Sequence, residues 1–161
     1  MTELLPSIRN TARAIIVRQQ RILLLRKQGG GRGERFALPG GGQEPGETLL
    51  DALDRECREE IGTAVEIGEL LHVAEFNKLR DTQPPSRRHL VEFLFRCDVP
   101  DDYSPRNGDH PDKHQVGVVW AALDGLQRLT LYPDYLSMCV AVLDAPQRPF
   151  YLGSFEDSAT S

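Results

Sequence analysis

Two short hydrophobic runs near the start of the chain predict a β-hairpin. Thr11 to Val17 and Arg21 to Arg26 are rich in β-branched or aliphatic residues, and a polar break of hairpin length, Arg18 to Gln20, separates them. The next segment, Gln28 to Gly46, holds eight of the fourteen glycines and two prolines. We therefore expect a shaped loop there, with a short extended piece at Arg35 to Leu38.

The clearest helical pattern runs from Thr48 to Ile61. Thr48 is a favourable N-cap residue, Asp51 three positions later makes a variant of the capping box, and Gly62 provides a stop. At about 100° per residue the apolar side chains form one arc, and Glu56 and Glu60 lie at its edge. The arc consists of Leu49, Leu50, Leu53, Cys57 and Ile61.

Later hydrophobic runs predict more strands and a second helix. We expect strands at Ala64 to Phe76, His89 to Cys97 and Val116 to Ala121, a polar loop from Asn77 to Arg88, an irregular stretch from Asp98 to Lys113, and a helix from Pro133 to Leu143. Residues 1–10 are expected to form an N-terminal lead and residues 145–161 a loosely held tail. This alternation of sheet and helix predicts an α/β (α+β) sandwich.

Composition indicates one globular domain spanning residues 1–161. The chain has 161 residues and a formal net charge of −5, and it contains no apolar run of bilayer-spanning length. Its acidity disfavours a protein that binds a polynucleotide backbone through counterion release. Three separated cysteines without a Cys-x-x-Cys pair, and a start without a secretory pattern, favour a reducing cytoplasm.

The acidic excess is local. The segment from Gly41 to Thr63 holds seven acidic and two basic residues, so the whole net charge of −5 lies there. Glu56, Glu59 and Glu60 stand at i, i+3 and i+4 on the predicted helix, where like charges repel one another. A hard divalent cation such as Mg²⁺ would relieve that repulsion. The alternative is a solvated acidic helix face.

The spacing of this segment resembles the Nudix box. The box reads Gly, five residues, Glu, seven residues, Arg-Glu, an aliphatic residue, any residue, Glu-Glu, any residue, Gly and an aliphatic residue. All of its fixed letters are present, as Gly41, Glu47, Arg55, Glu56, Glu59, Glu60 and Gly62. The chain departs from the box at its two aliphatic positions, which hold Cys57 and Thr63.

The resemblance implies a Nudix-like α/β/α sandwich with a mixed sheet between helices. It implies that Glu56, Glu59 and Glu60 bind Mg²⁺ or Mn²⁺, with the carbonyl of Gly40 as a further ligand. It also implies that Glu59 or Glu60 is the base for the attacking water. Gly41, Gly62 and the Glu47 and Arg55 pair would be structural, with that ion pair holding the glycine loop against the helix.

Residues outside the box are weaker candidates. Asp112, His114 and Gln115 precede a predicted strand and could supply another ligand or base, although an ordinary polar loop explains them equally well. Glu92 lies inside an apolar run, and a buried carboxylate there would need an arginine or a metal as its partner, although strand alternation could equally place it in water. The candidates for contacts with substrate phosphates are Arg13, Arg35, Lys78, Arg80, Arg87 and Arg88.

The implied reaction is Mg²⁺-dependent hydrolysis of a pyrophosphate bond in a nucleoside diphosphate linked to another moiety. Nucleoside triphosphates and nucleotide sugars remain open as substrates, whereas ADP-ribose is disfavoured because a proline that often marks its hydrolases is absent between Val73 and Gln83. The partner is a small nucleotide, not a polynucleotide or a membrane, and a homodimer is left open. The alternative function is a non-hydrolytic module that binds a nucleotide metabolite for regulation.

Overall fold

The computed structural model describes residues 3–158. Within that range the chain forms eight strands, two α-helices and one 3-10 helix. In chain order these are β1 Glu3–Arg18, β2 Arg21–Gly29, β3 Arg32–Ala37, β4 Gly40–Gly42, α1 Leu49–Ile61, β5 Glu66–Arg80, β6 Ser86–Asp98, β7 Gln115–Ala122, the 3-10 helix Leu123–Arg128, α2 Leu136–Ala141 and β8 Tyr151–Glu156. Neither α-helix in this range has the length and hydropathy needed to cross a bilayer.

The strands form one mixed sheet in the order β3-β2-β1-β6-β5-β8, with β4 paired to β1 and β7 paired to β2. The β1–β6 and β5–β8 pairs are parallel, and the other pairs are antiparallel. The predicted first hairpin is confirmed, but β1 pairs with β2 only at Val17–Ile22 and Arg18–Arg21. The earlier part of β1, up to Ile16, pairs with β6 instead, so the hairpin links two halves of the sheet.

Alternating side chains of the central strands supply two separate cores. On β2, Ile22 and Leu24 belong to one core, while Leu23 and Leu25 belong to the other. Helix α1 covers the second core, and the 3-10 helix and α2 cover the first. The predicted fold class, a mixed sheet between helices, is therefore confirmed.

Helix α1 begins and ends as its sequence predicts. The Thr48 hydroxyl accepts a hydrogen bond from the Asp51 backbone N–H, and the Asp51 carboxylate accepts one from the Thr48 N–H, both at 3.1 Å. The helix stops at Gly62, which has left-handed geometry with φ 75°. Its apolar arc packs into the core through Leu53, Cys57 and Ile61.

The predicted polar loop from Asn77 to Arg88 is wrong. Strand β5 continues to Arg80 and β6 starts at Ser86, so only residues 81–85 form the turn. Lys78 pairs with Arg88 across these two strand ends. Polar residues are stable on strands that face solvent, and the prolines that suggested a loop lie in the short turn itself.

Both chain ends are more ordered than the sequence predicts. The expected lead, residues 1–10, is strand from Glu3 and pairs with β6. The expected tail, residues 145–161, contains β8, whose Phe155 ring stacks on Tyr135 at 4.9 Å between centroids. The helix predicted for Pro133 to Leu143 is shorter in the structure, where α2 spans only Leu136–Ala141. Residues 1–2 and 159–161 lie outside the described range.

Asp157 fixes the end of β8 to the rest of the sheet. Its carboxylate is 4% exposed and accepts hydrogen bonds from the Leu79 N–H at 2.9 Å, the Tyr132 hydroxyl at 2.8 Å and the Arg32 guanidinium at 3.1 Å. Removing such an acceptor leaves three donors without a partner.

Asp157→Ala is therefore expected to lower the free energy of unfolding by about 2–4 kcal/mol. Urea unfolding measures this change. The matched control is Glu156→Ala, because the neighbouring Glu156 side chain is 65% exposed and its ion pair with Arg87 contributes at most about 1 kcal/mol. Equal losses in the two variants would contradict the role assigned to Asp157.

Candidate active site

The glycine loop lies directly against the carboxylates of α1. Strand β4 pairs with β1, with Gly41 opposite Ala12. Gly40 has φ 133°, and a Cβ there would overlap the Ala12 carbonyl oxygen. At Gly41 a Cβ would lie 2.6 Å from the carboxyl carbon of Glu56. Glycine is thus needed at Gly40 for the backbone to approach β1, and at Gly41 it leaves room for the Glu56 carboxylate in its present position.

An ion pair joins the loop to the helix. Arg55 donates to both carboxylate oxygens of Glu47, at 2.7 and 3.0 Å, and to the carbonyl of Gly42 at 3.1 Å. The hydrogen bonds from Arg55 lower the pKa of Glu47 to about 2. The sequence placed this pair correctly, and its geometry is suited to holding the loop against α1.

The two box glutamates that follow Arg55 most closely in sequence, Glu56 and Glu59, differ in exposure. The Glu56 side chain is 18% exposed and accepts a hydrogen bond from Arg55 at 2.9 Å. Burial raises the pKa of Glu56, although the adjacent Arg55 acts in the opposite direction. The Glu59 side chain is 37% exposed and lies 3.6 Å from an Arg55 nitrogen.

Glu60 is the most constrained carboxyl group of the site. It is 2% exposed and accepts a hydrogen bond from the Gly40 N–H at 2.8 Å. Burial raises the pKa of Glu60 to about 8, against the lowering effect of that hydrogen bond. The nearby Arg13 guanidinium is engaged by Glu92 instead.

The donor chemistry fits a hard divalent cation. Within residues 3–158, no group of three or more His, Cys, Asp or Glu side chains already forms a metal cluster. The Glu56 and Glu59 carboxylates lie beside Arg55, and the Glu60 carboxyl group is bonded to the Gly40 N–H. Their oxygens are nevertheless the ligand type that Mg²⁺ prefers. The pKa values of Glu56 and Glu60 are raised mainly because burial disfavours the charged carboxylates, and a cation beside them would favour the charged form.

A cleft of about 280 Å³ opens beside the glycine loop. Gly40, Gly41, Gly42, Glu56 and Asp112 line it, together with the basic residues Arg9, Arg13, Lys78, Arg80 and Arg88. Four of the predicted phosphate contacts, Arg13, Lys78, Arg80 and Arg88, therefore meet at this cleft. Arg9 joins them although the sequence did not single it out.

Two predicted phosphate contacts do not reach the cleft. Arg35 is 8% exposed and donates to the carbonyls of Gly29 and Gly33, so it holds the turn between β2 and β3. Arg87 pairs with Glu156 and donates to backbone carbonyls next to β8. Both guanidinium groups therefore bind partners outside the box segment, because the strands that carry them point the side chains away from it.

Glu92 has a partner within the protein. It is 1% exposed and accepts hydrogen bonds from the Arg13 Nε at 3.1 Å, the Thr11 hydroxyl at 3.0 Å and the Tyr135 hydroxyl at 2.7 Å. Of the two partners that the sequence allowed, the structure selects arginine. Arg13 in turn donates to the Gly40 carbonyl at 2.8 Å, so Glu92 orients a side chain beside the predicted ligand.

The three loop candidates separate in space. Asp112 lines the cleft and forms an ion pair with Lys27 at 2.6 Å; burial would raise the pKa of Asp112, but Lys27 lowers it overall. Gln115 is buried and donates to the Glu60 backbone carbonyl at 2.8 Å, where it supports the end of α1. His114 lies over Gly29 and Gly30, outside the cleft.

Lys27 and Tyr135 are site residues that sequence reasoning missed. The one indication in the sequence was that Lys27 is a charged residue at the end of an apolar strand. Its partner Asp112 lies 85 positions away, so no local pattern joins the two. Tyr135 follows a proline near α2 and carries no local indication that it bonds to Glu92.

The fold and the box together match a known class of proteins. A NUDIX hydrolase from Nitrosomonas europaea superposes with a TM-score of 0.70 at 20% identity, over 91% of this chain and 94% of that one, which establishes the fold. The family model described as "NUDIX domain" matches residues 8–139. The chain therefore belongs to the NUDIX family.

Two relatives match shorter stretches. An ADP-ribose pyrophosphatase of Methanocaldococcus jannaschii is 36% identical over 85 residues, covering 53% of this chain and 47% of that protein. The nucleoside triphosphatase NudI of an Enterobacter species is 47% identical over 55 residues, covering 32% of this chain and 39% of that protein. The matched regions thus span less than half the length of either relative.

The burial of Glu60 predicts an unusual pH dependence of stability without metal. The folded protein retains the Glu60 proton up to about pH 8, whereas the unfolded chain releases it near 4.5. The stabilisation from this proton is complete below pH 4.5 and is lost as the pH rises through 8. In chelator at pH 8, Glu60→Gln is expected to be more stable than wild type by about 2 kcal/mol, because it removes a buried charge.

Chemical unfolding between pH 5 and pH 8 measures this effect, because the pKa of Glu60 is 4.5 in the unfolded chain and about 8 in the folded protein. Glu59→Gln is the matched control, because the partly exposed Glu59 should change stability by no more than about 0.5 kcal/mol. A Glu60→Gln protein less stable than wild type at the upper end of this range would contradict the unfavourable burial of Glu60.

Proposed function

We propose that this protein is a Mg²⁺-dependent hydrolase that cleaves a pyrophosphate bond in a nucleoside diphosphate linked to another moiety. The observation that carries the proposal is the position of two carboxyl groups with raised pKa values, the partly buried Glu56 and the buried Glu60, at a glycine loop beside a cleft lined by basic side chains. Carboxylates and phosphates can share a cation, whereas an anionic substrate would otherwise be repelled by this acidic helix.

The proposed metal ligands are Glu56, Glu59, Glu60 and the carbonyl of Gly40, with Mn²⁺ as an alternative to Mg²⁺. When bound, the ion supplies neutralisation of phosphate charge, polarisation of a phosphoryl oxygen and a lower pKa for water. The Gly40 carbonyl already accepts a hydrogen bond from Arg13, and its second lone pair remains for a ligand.

The protein's own side chains would position the substrate. Arg13 is held by Glu92 and by the Gly40 carbonyl, so its guanidinium is fixed before a phosphate arrives. Arg88 and Lys78 line the same cleft and supply further donors.

One of the two adjacent glutamates would take the proton of the attacking water. Greater exposure of the Glu59 side chain supports Glu59 in this role, because Glu60 is enclosed and bonded to the Gly40 N–H. A base that contacts solvent can pass its proton on after each turnover.

Two substrate classes follow from the relatives: an ADP-ribose-type nucleotide and a nucleoside triphosphate. The absence of the proline between Val73 and Gln83 argues against the first of these. Both contain the phosphoanhydride that the proposed site would cleave, so both belong in the test.

Purified protein is expected to release phosphate-containing products from at least one nucleoside diphosphate derivative when Mg²⁺ is present. Glu59→Gln and Glu60→Gln should each lower kcat by about 10²- to 10⁴-fold, because each removes a carboxylate from the metal or the water. A screen over nucleoside triphosphates, nucleotide sugars and ADP-ribose measures this activity.

Asp54→Asn is the matched control, since Asp54 lies on α1 but pairs outward with Arg58 at 2.9 Å. It should retain wild-type activity. Nucleotide binding without release of any product would favour the regulatory module instead, and full activity of both glutamine variants would contradict the assigned roles.

A further inference from the structure

A second cavity of about 270 Å³ adjoins the cleft beside the glycine loop. Lys27 lies at its wall, and Lys78, Arg80 and Asp112 line both spaces. Strand ends of β2, β3 and β5 and the loop before β7 enclose it. Six basic side chains line the cavity against two acidic ones; the basic set is Lys27, Arg32, Arg35, Lys78, Arg80 and Lys113, and the acidic pair is Asp81 and Asp112.

Half of these basic side chains have no partner within the described part of the chain. Lys27 pairs with Asp112, Arg32 pairs with Asp157, and the buried Arg35 donates to the carbonyls of Gly29 and Gly33. Of the described carboxylates, none lies within 4.0 Å of a charged nitrogen of the other three, Lys78, Arg80 and Lys113. This local excess of positive charge contrasts with the chain as a whole, whose net charge is −5.

Lys78 is held among like charges. Desolvation, together with Arg13 and Lys27, lowers the pKa of Lys78 to about 8, while Asp112 and Glu92 act in the opposite direction. An anion bound beside Lys78 would offset the repulsion from Arg13 and Lys27.

Two aromatic rings line the second cavity, the imidazole of His114 and the phenol of Tyr132. The Tyr132 ring is already in contact with other side chains. The Arg32 guanidinium lies over that ring at 4.8 Å from its centroid, and the Tyr132 hydroxyl donates to Asp157. Phe76 packs against the same ring in an edge-on arrangement at 5.8 Å. The basic side chains that line the cavity, and not its rings, suit it to an anion.

We propose that this second cavity binds a phosphate group distinct from the diphosphate at the glycine loop. The inference rests on the proposed function for the identity of the first site, and it narrows the substrate to a compound that carries at least one further phosphate. Lys78 lines both spaces and would bridge the two phosphate positions. The same chemistry would also accept free inorganic phosphate, and the experiment separates these two sources.

The first arm measures binding without turnover. Inorganic phosphate is titrated by calorimetry into wild-type protein in chelator, and binding is expected to weaken as salt is added. Lys78→Met and Lys113→Ala should each weaken it roughly tenfold, because each removes a charged donor. Arg21→Ala is the control for net charge, since the exposed Arg21 lies at the β1–β2 turn outside both spaces. The affinity of Arg21→Ala for inorganic phosphate should equal that of wild type.

The second arm compares adenosine diphosphate, triphosphate and tetraphosphate as substrates with Mg²⁺. If the second phosphate belongs to the substrate, kcat/KM should rise with the number of phosphates, and Lys113→Ala should reduce that ratio mainly through KM. If the ligand is free phosphate, kcat/KM should not change with the number of phosphates, although inorganic phosphate still binds in the first arm.

Unfolding experiments distinguish a lost site from a lost fold. Lys78→Met should be at least as stable as wild type at pH 7, because it keeps the apolar stem and removes a cation held near other cations. Phosphate binding that is absent in wild type, or equal in wild type and both variants, would overturn the second site. Variant-sensitive phosphate binding without hydrolysis of any substrate would leave the second site standing and overturn the proposed function.

Discussion

The arrangement of this protein depends on one buried contact, between the Glu60 carboxyl group and the Gly40 N–H. The apolar arc of α1 packs into the core through Leu53, Cys57 and Ile61, and this packing carries Glu60 into the interior. The glycine loop then closes over it, since Gly40 can lie against β1 only without a Cβ. The fold therefore places a carboxyl group where burial makes its ionisation unfavourable, and a cation bound there would reverse this, which links stability to the proposed chemistry.

Acidic and basic side chains are unevenly distributed around the site. The acidic excess of the chain belongs to the box segment, whereas the cleft and the cavity beside it are lined mainly by basic side chains. Several of those side chains are fixed within the protein: Glu92 holds Arg13, and Asp112 holds Lys27. A metal ion would lie on the acidic side and phosphates on the basic side, so the two charge sets would complement one another through the substrate.

The sequence predicted what local chemistry determines. The bounds of α1, its cap at Thr48 and the Glu47–Arg55 pair lie within one short segment, and each was placed correctly. The β5 and β6 extensions, the strand in the supposed tail and the Lys27–Asp112 pair depend on residues far apart in the chain, so no local pattern specified them. For the same reason Arg35 and Arg87 looked equivalent to Lys78 in sequence, yet strand direction sends them to other partners.

Metal-dependent stabilisation tests the link between Glu60 and the cation most directly. The midpoint of thermal unfolding at pH 8 is measured for wild type and Glu60→Gln as Mg²⁺ is titrated in. A ligand that binds only the folded state raises the midpoint in a saturable way. If the buried carboxyl group is the ligand proposed here, wild type will gain stability with Mg²⁺ and Glu60→Gln will gain far less. Equal gains in the two proteins, or none in wild type, would contradict this role of Glu60.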